Sequence, residues 1–135
     1  MELTARVLVA GTASGTALVL EHPLSFWGGV DPVTGEIIDR HHPQSGAFTR
    51  ARILVLPHGR GSSSSSYVLA ECIRAGTGPA GIIMHEPDSI IALGALVAAE
   101  LYPDRTCPVV VVDDGYSSIG TGTPVAIDDG IVVTG

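Results

Sequence analysis

Short apolar runs alternating with helix-patterned stretches predict an α/β fold: one domain over residues 1–135, with further β-structure at both ends. Three runs carry the strand assignment. Ile53-Leu54-Val55-Leu56 and Ala80-Gly81-Ile82-Ile83-Met84 read as buried strands. Cys107-Pro108-Val109-Val110-Val111-Val112, rich in β-branched residues, reads as a central strand covered on both faces. The two intervals between these runs have helical patterns. A chain of 135 residues is long enough for one core and too short for two.

In order along the chain, residues 2–9 alternate imperfectly and lead through Gly11 to Gly15 into residues 16–20. This predicts a pair of strands joined by a Gly/Ser turn. Ser25-Phe26-Trp27-Gly28-Gly29 follows, holding the single Trp and one of two Phe residues. Phe26 suits a hydrophobic plug under a loop, whereas Trp27 and the glycine pair suit the wall of a ligand site. Asp31-Pro32-Val33-Thr34-Gly35 is a turn by composition, and residues 36–39 read as a strand. Arg40-His41-His42-Pro43 is polar and irregular. Adjacent histidines on an extended chain point to opposite faces, and no Asp, Glu or Cys lies at ligand spacing. Ordinary loop histidines therefore outweigh a metal site, while a hydrogen bond from His41 or His42 to a substrate carboxylate stays open.

Residues 67–76 read as a helix closed by a glycine at C′. Asp88 suits an N-cap, and from Ser89 the spacing of Ile90, Ile91, Leu93, Ala95, Leu96, Val97 and Leu101 is helical, ending near Pro103. Apolar residues wrap widely around this second helix, which predicts deep packing against sheet. Asp113 and Asp114 close the central strand. Residues 123–127 and 131–134, joined at Asp128-Asp129-Gly130, predict a hairpin.

Composition excludes several classes of function. The net charge is −7 and the chain has no lysine, which argues against nucleic acid and removes Schiff-base chemistry. No apolar run is long enough for a membrane span, and no basic segment followed by an apolar stretch opens the chain, so the expected location is cytoplasmic. Cys72 and Cys107 are too few and too far apart for a zinc or cluster signature; both are expected to be reduced, with no metal held by this chain.

Chemistry concentrates in Pro57-His58-Gly59-Arg60-Gly61-Ser62-Ser63-Ser64-Ser65-Ser66, a strand-to-helix turn. Its two glycines let backbone approach a ligand, and its serines sit where the free N–H groups of a helix start point outward. Several familiar motifs fail here. A nucleophile elbow would need a second glycine after the serine, a P-loop a lysine, and a dinucleotide fingerprint a third glycine. An anion-binding turn, a serine acting as an alkoxide in a strongly electrophilic site, and a polar linker remain. The flanking strand and helix weigh against the linker. Arg60, between two glycines, is either a solvated surface charge or a ligand for a carboxylate.

Taken together, Ser25-Phe26-Trp27-Gly28-Gly29-Val30-Asp31-Pro32, Thr34-Gly35, Ile38-Asp39, His41-His42-Pro43, Pro57-His58-Gly59-Arg60-Gly61-Ser62 and residues 88–94 resemble the small-subunit, swivelling domain of the aconitase X family. The resemblance spans most of the chain. It implies a swivelling β/β/α fold, in which a β-barrel-like part with parallel strands packs against covering helices. It also implies a dehydratase whose iron–sulfur cluster belongs to a separate large subunit, the expected partner. By this match Ser62 is the catalytic base that removes the proton next to a carboxylate. Gly61, Ser63 and Ser64 line the substrate carboxylate or phosphate, with Arg60, Trp27 and His41 as further substrate contacts. Two departures stand out. Aconitases carry an arginine shortly after the serine pair where this chain has only serine, which leaves Arg60 or the large subunit to anchor the carboxylate. The family pattern commonly has cysteine after the first serine, where this chain has Ser63.

The family's substrates include cis-3-hydroxy-L-proline and, in archaeal members, (R)-5-phosphomevalonate, and the scarcity of basic residues favours the former. The competing expectations are a stand-alone swivel domain that binds a small anion, and a solo enzyme in which Ser62, Trp27 and His41 or His42 form a closed pocket.

Overall fold

The computed structural model describes residues 1–135. Its elements are β1 (Glu2–Val9), β2 (Thr12–Val19), β3 (Ile53–Leu56), α1 (Ser63–Ala75), β4 (Gly81–Met84), α2 (Ser89–Leu101), β5 (Val109–Val112), β6 (Pro124–Asp128) and β7 (Ile131–Thr134). The strands close into a barrel in the order β1-β5-β4-β3-β2-β6-β7, with β1 also pairing β7. Strands β2, β3, β4 and β5 run parallel, and the remaining pairings are antiparallel. The architecture is the mixed α/β barrel with parallel strands and two covering helices that the resemblance implies.

Burial on both faces explains why β3, β4 and β5 read as unbroken apolar runs: all of their residues are buried. Side chains alternate across each strand. Ile53, Val55, Ile83, Val110 and Val112 point into the barrel and meet Val125, Ile127 and Val132 from the terminal hairpin. Leu54, Leu56, Ile82 and Met84 point outward and meet Leu69, Ile91, Ala95 and Ala98 of the helices. The hairpin turns at Asp129-Gly130, where Asp129 takes the left-handed conformation that a two-residue turn requires (φ 48°).

Four expectations need correction. The two amino-terminal strands are not partners: β1 lies between β5 and β7, and β2 between β3 and β6. The chain turns at Ala10-Gly11, and Gly15 lies inside β2 opposite Val125. Residues 36–39 form only isolated bridges, Val30 to Ile37 and Glu36 to Phe48, within a long irregular segment between β2 and β3. That segment is stitched down by buried Leu24, Phe26, Val30 and Ile37, so Phe26 is indeed a plug. The first helix begins at Ser63 rather than Tyr67, because Ser62 caps it. Finally, α2 is not enclosed: Leu93, Leu96, Val97 and Leu101 are exposed, and its buried residues are Ile91, Gly94, Ala95 and Ala98.

Two buried thiols and a half-buried phenol give the fold a defined response to alkali. Burial pushes the Cys107 thiol up to about 12, the Cys72 thiol from 9.0 to about 11, and the Tyr116 phenol from 10.0 to about 12. The folded chain therefore keeps these protons at pH values where the unfolded chain has lost them. Their contribution to stability is complete below the ordinary thiol range and is lost as pH rises through 9 towards 12. With no lysine to titrate in the same window, the melting temperature is expected to hold level just above neutrality and to fall from pH 9 upward. Thermal melts across that range check this, and a flat profile up to pH 11 contradicts it.

Candidate active site

The parallel strands put their C-terminal ends on one edge of the sheet, where α/β sheets present ligand-binding loops. The turn after β3 lies there, joined to the turn after β4 by the His85 and Glu86 N–H groups, which donate to Pro57 O at 3.2 and 3.0 Å. On its other flank it is tied to the segment after β2. The Arg60 N–H donates to Leu24 O at 3.2 Å, and Leu24 bridges Gly59.

Ser62 is exposed and N-caps α1 in extended conformation (φ −116°, ψ −171°). Its Oγ accepts a long hydrogen bond from the Ser64 N–H at 3.4 Å, and its carbonyl accepts from Ser65 N at 2.9 Å. Ser63 and Ser64 are exposed beside it, and the first turn of α1 carries no acidic residue. The α2 start differs in charge. There Asp88 accepts from the Ile90 and Ile91 N–H groups at 2.8 and 3.1 Å, so a carboxylate already compensates that helix end. Of the two helix starts on this edge, the one at Ser62 keeps its positive potential free for an anion.

The turn stands on a polar floor that sequence reasoning missed. Ser25 donates to Trp27 O at 3.1 Å, which leaves Ser65 to donate to Ser25 Oγ at 2.9 Å. Longer contacts run from Ser65 Oγ to Arg60 O (3.4 Å) and to Trp27 N (3.5 Å). Gly61 sits directly on this pair at φ +105°; a Cβ there would collide with Ser65 Oγ and come within 2.8 Å of Ser25 Oγ. Position 61 is thus glycine for both conformation and space. The only hint in the sequence was Ser65 three residues after the cap, the spacing at which a helix start folds back on itself.

The other predicted residues are placed as follows. The Arg60 guanidinium lies 3.6 Å from Asp39, itself half-buried, and is 62% exposed, so this is a loose ion pair from which Arg60 can swing. Trp27 is exposed, and its backbone adjoins Ser65. His41 is exposed too, and its N–H donates to Asp39, the carboxylate that faces Arg60. His42 is buried and structural. Its Nδ1 accepts from Gln44 N at 3.0 Å, so the proton sits on Nε2, which reaches His22 O at 3.2 Å. Ser62, Trp27 and His41 do not form the closed pocket expected of a solo enzyme, because each is exposed.

The largest groove, about 1030 Å³, lies elsewhere, at the ends of β4 and β5. Glu2, Glu86, Asp113 and Asp114 line it against the single cation Arg6, an arrangement that repels an anionic substrate. The Ser62 turn is the better candidate on electrostatic grounds. No group of three His, Cys, Asp or Glu residues could hold a metal ion, and both cysteines are buried, so the residues of this chain do not fit an iron–sulfur cluster.

Comparison with known proteins places this geometry in context. Residues 2–134 match the family model described as the aconitase X swivel domain. The chain is 47% identical over 125 residues to cis-3-hydroxy-L-proline dehydratase of Pseudomonas aeruginosa, covering 93% of this chain but only 21% of that protein. It is 39% identical over 128 residues to the phosphomevalonate dehydratase small subunit of Pyrococcus furiosus, covering 95% and 90% of the two chains. Among solved structures it superposes on the crystal structure of Thermococcus kodakaraensis aconitase X in its holo form with a TM-score of 0.87 and 36% identity, covering 99% of this chain and 98% of that one.

Proposed function

Because the chain belongs to the aconitase X family, as its swivel domain, we propose that it is the small subunit of a hydro-lyase and supplies the base for dehydration of a small hydroxy acid. The observation that carries this reading is the exposed Ser62 hydroxyl at the uncompensated start of α1. In the reaction, the Ser62 alkoxide takes the proton from the carbon next to the substrate carboxylate. The C–H electron pair becomes the new double bond, and hydroxide leaves the neighbouring carbon, taking a proton from solvent to depart as water while the Ser62 hydroxyl returns its proton to solvent. As the proton moves, negative charge builds on the carboxylate oxygens. The Ser63 N–H and the hydroxyls of Ser63 and Ser64, together with Arg60, stand ready to receive it, with the Gly61 backbone in close approach, while the Ser64 N–H stays on Ser62 Oγ. The same positive end of α1 favours the alkoxide form of Ser62, and does so more strongly once a partner excludes water. Trp27 and His41 form the outer wall. An iron–sulfur cluster, if present, belongs to the large subunit.

For substrate we favour cis-3-hydroxy-L-proline. The relative that is 47% identical bears that name, and the turn offers a single guanidinium, enough for a carboxylate and lean for an added phosphate. (R)-5-phosphomevalonate is the second reading, favoured by the near full-length match to a separate small subunit. The test mixes the chain with its large subunit and follows loss of each compound by NMR. Faster consumption of hydroxyproline supports the first reading and faster consumption of phosphomevalonate the second; if neither is dehydrated, both fail.

A further inference from the structure

The apolar side of α2 gives the proposed partner a place to bind. Helix α2 carries one charged residue, Glu100, yet Leu93, Leu96, Val97 and Leu101 are 47, 48, 37 and 63% exposed. Leu93, Val97 and Leu101 recur every four residues and form a stripe along the helix. With Tyr67 of α1 they line a groove of about 250 Å³ whose near end is Ser63. The floor of the groove is closely packed. A Cβ at Gly94 would lie 2.7 Å from Ser66 O, and the Ser66 hydroxyl donates to Ile90 O at 2.6 Å, so the two helices approach closely beneath it.

We propose that the large subunit docks in this groove through an apolar segment laid along Leu93, Val97 and Leu101. The proposal rests on the reading of Ser62 as half of a shared active site. Two observations name the occupant. The groove opens one residue from Ser62, so a body that covers the catalytic turn already stands at its mouth. In the P. aeruginosa relative the stretch matching this chain is 21% of the polypeptide, so a much larger body accompanies the same domain. Charge narrows the segment further: Glu71 is tied to Arg74 while Glu100 has no such ion-pair partner, and the chain as a whole carries −7, which disfavours an acidic partner.

The test is the double variant Leu93→Glu/Leu101→Glu, chosen because both side chains are exposed and Glu is a good helix former. Its melting temperature as an isolated chain, set against the wild type, controls for folding, and Tyr67→Ala serves as a second, milder variant. The affinity for the large subunit is expected to fall by roughly thirtyfold or more, the loss of a typical anchoring contact. With the large subunit in excess, kcat is expected to return to the wild-type value. Unchanged affinity in both variants overturns the proposal. So does a wild-type chain that dimerises alone and becomes monomeric in the double variant, since the occupant is then a second copy. If the wild-type complex forms and the variants break it, but no dehydration occurs, the docking surface stands and the enzymatic reading fails.

Discussion

Replacing Ser62 by Asn is expected to lower the kcat of the assembled enzyme by roughly a thousandfold, in the range lost when a positioned general base is removed. Asn is chosen because Ser62 has two roles. Besides offering its hydroxyl, it caps α1, and Asn caps a helix about as well as Ser. Ser62→Ala removes both roles at once and is expected to cost about 0.5–1 kcal/mol of stability, at the low end for a lost cap because the contact to Ser64 N is long at 3.4 Å. The pair of variants separates chemistry from structure. Both should be inactive, while only the Ala variant should melt earlier, and both should bind the large subunit normally. Single-turnover kinetics with substrate deuterated next to the carboxylate reports the step directly. An Asn variant that keeps a tenth of wild-type kcat excludes Ser62 as the base.

Phe26→Ala is expected to be the most damaging single change to the fold, at about 3–5 kcal/mol. Phe26 is 1% exposed and packs with Leu24, Val30 and Ile37, the few apolar anchors that hold the irregular segment after β2 against the helices. A small domain has about 5–15 kcal/mol in total, so the loss is a large share of what there is. The damage should reach the site as well, because Phe26 lies between Ser25, part of the floor under Gly61, and Trp27, whose backbone braces that floor. Urea titration measures the effect as a lower midpoint with an unchanged slope. A shift worth less than about 1 kcal/mol, below the usual range for a buried aromatic, shows that the segment is held by its backbone bridges instead.

Local pattern carried far in this chain, and it failed where distant residues decide. The buried strands at Ile53–Leu56, Gly81–Met84 and Val109–Val112 announce themselves because two-sided burial leaves no polar position to confuse the pattern. Asp88 and Gly76 likewise mark helix ends by side-chain chemistry alone. Partnering in the barrel was not legible. Nothing in residues 2–9 says that they pair with residues 109–112 and 131–133 rather than with the next strand, since pairing depends on closure of the whole sheet. The serine run shows the same limit. Its composition marks a special turn, but that Ser62 is exposed while Ser65 is buried against Ser25 follows only from the helix phase. For α2 the apolar residues were visible, but not which of them face water, because an interface and a core ask for the same side chains.

Closure of the barrel has a consequence for how such a subunit can be handled. Every strand has a neighbour on each side, so no strand offers a full-length free edge for another protein to extend. Whatever joins this chain is expected to grip it chiefly through side chains and loops. A body held that way can part from its neighbour without breaking a single ladder bond of its own.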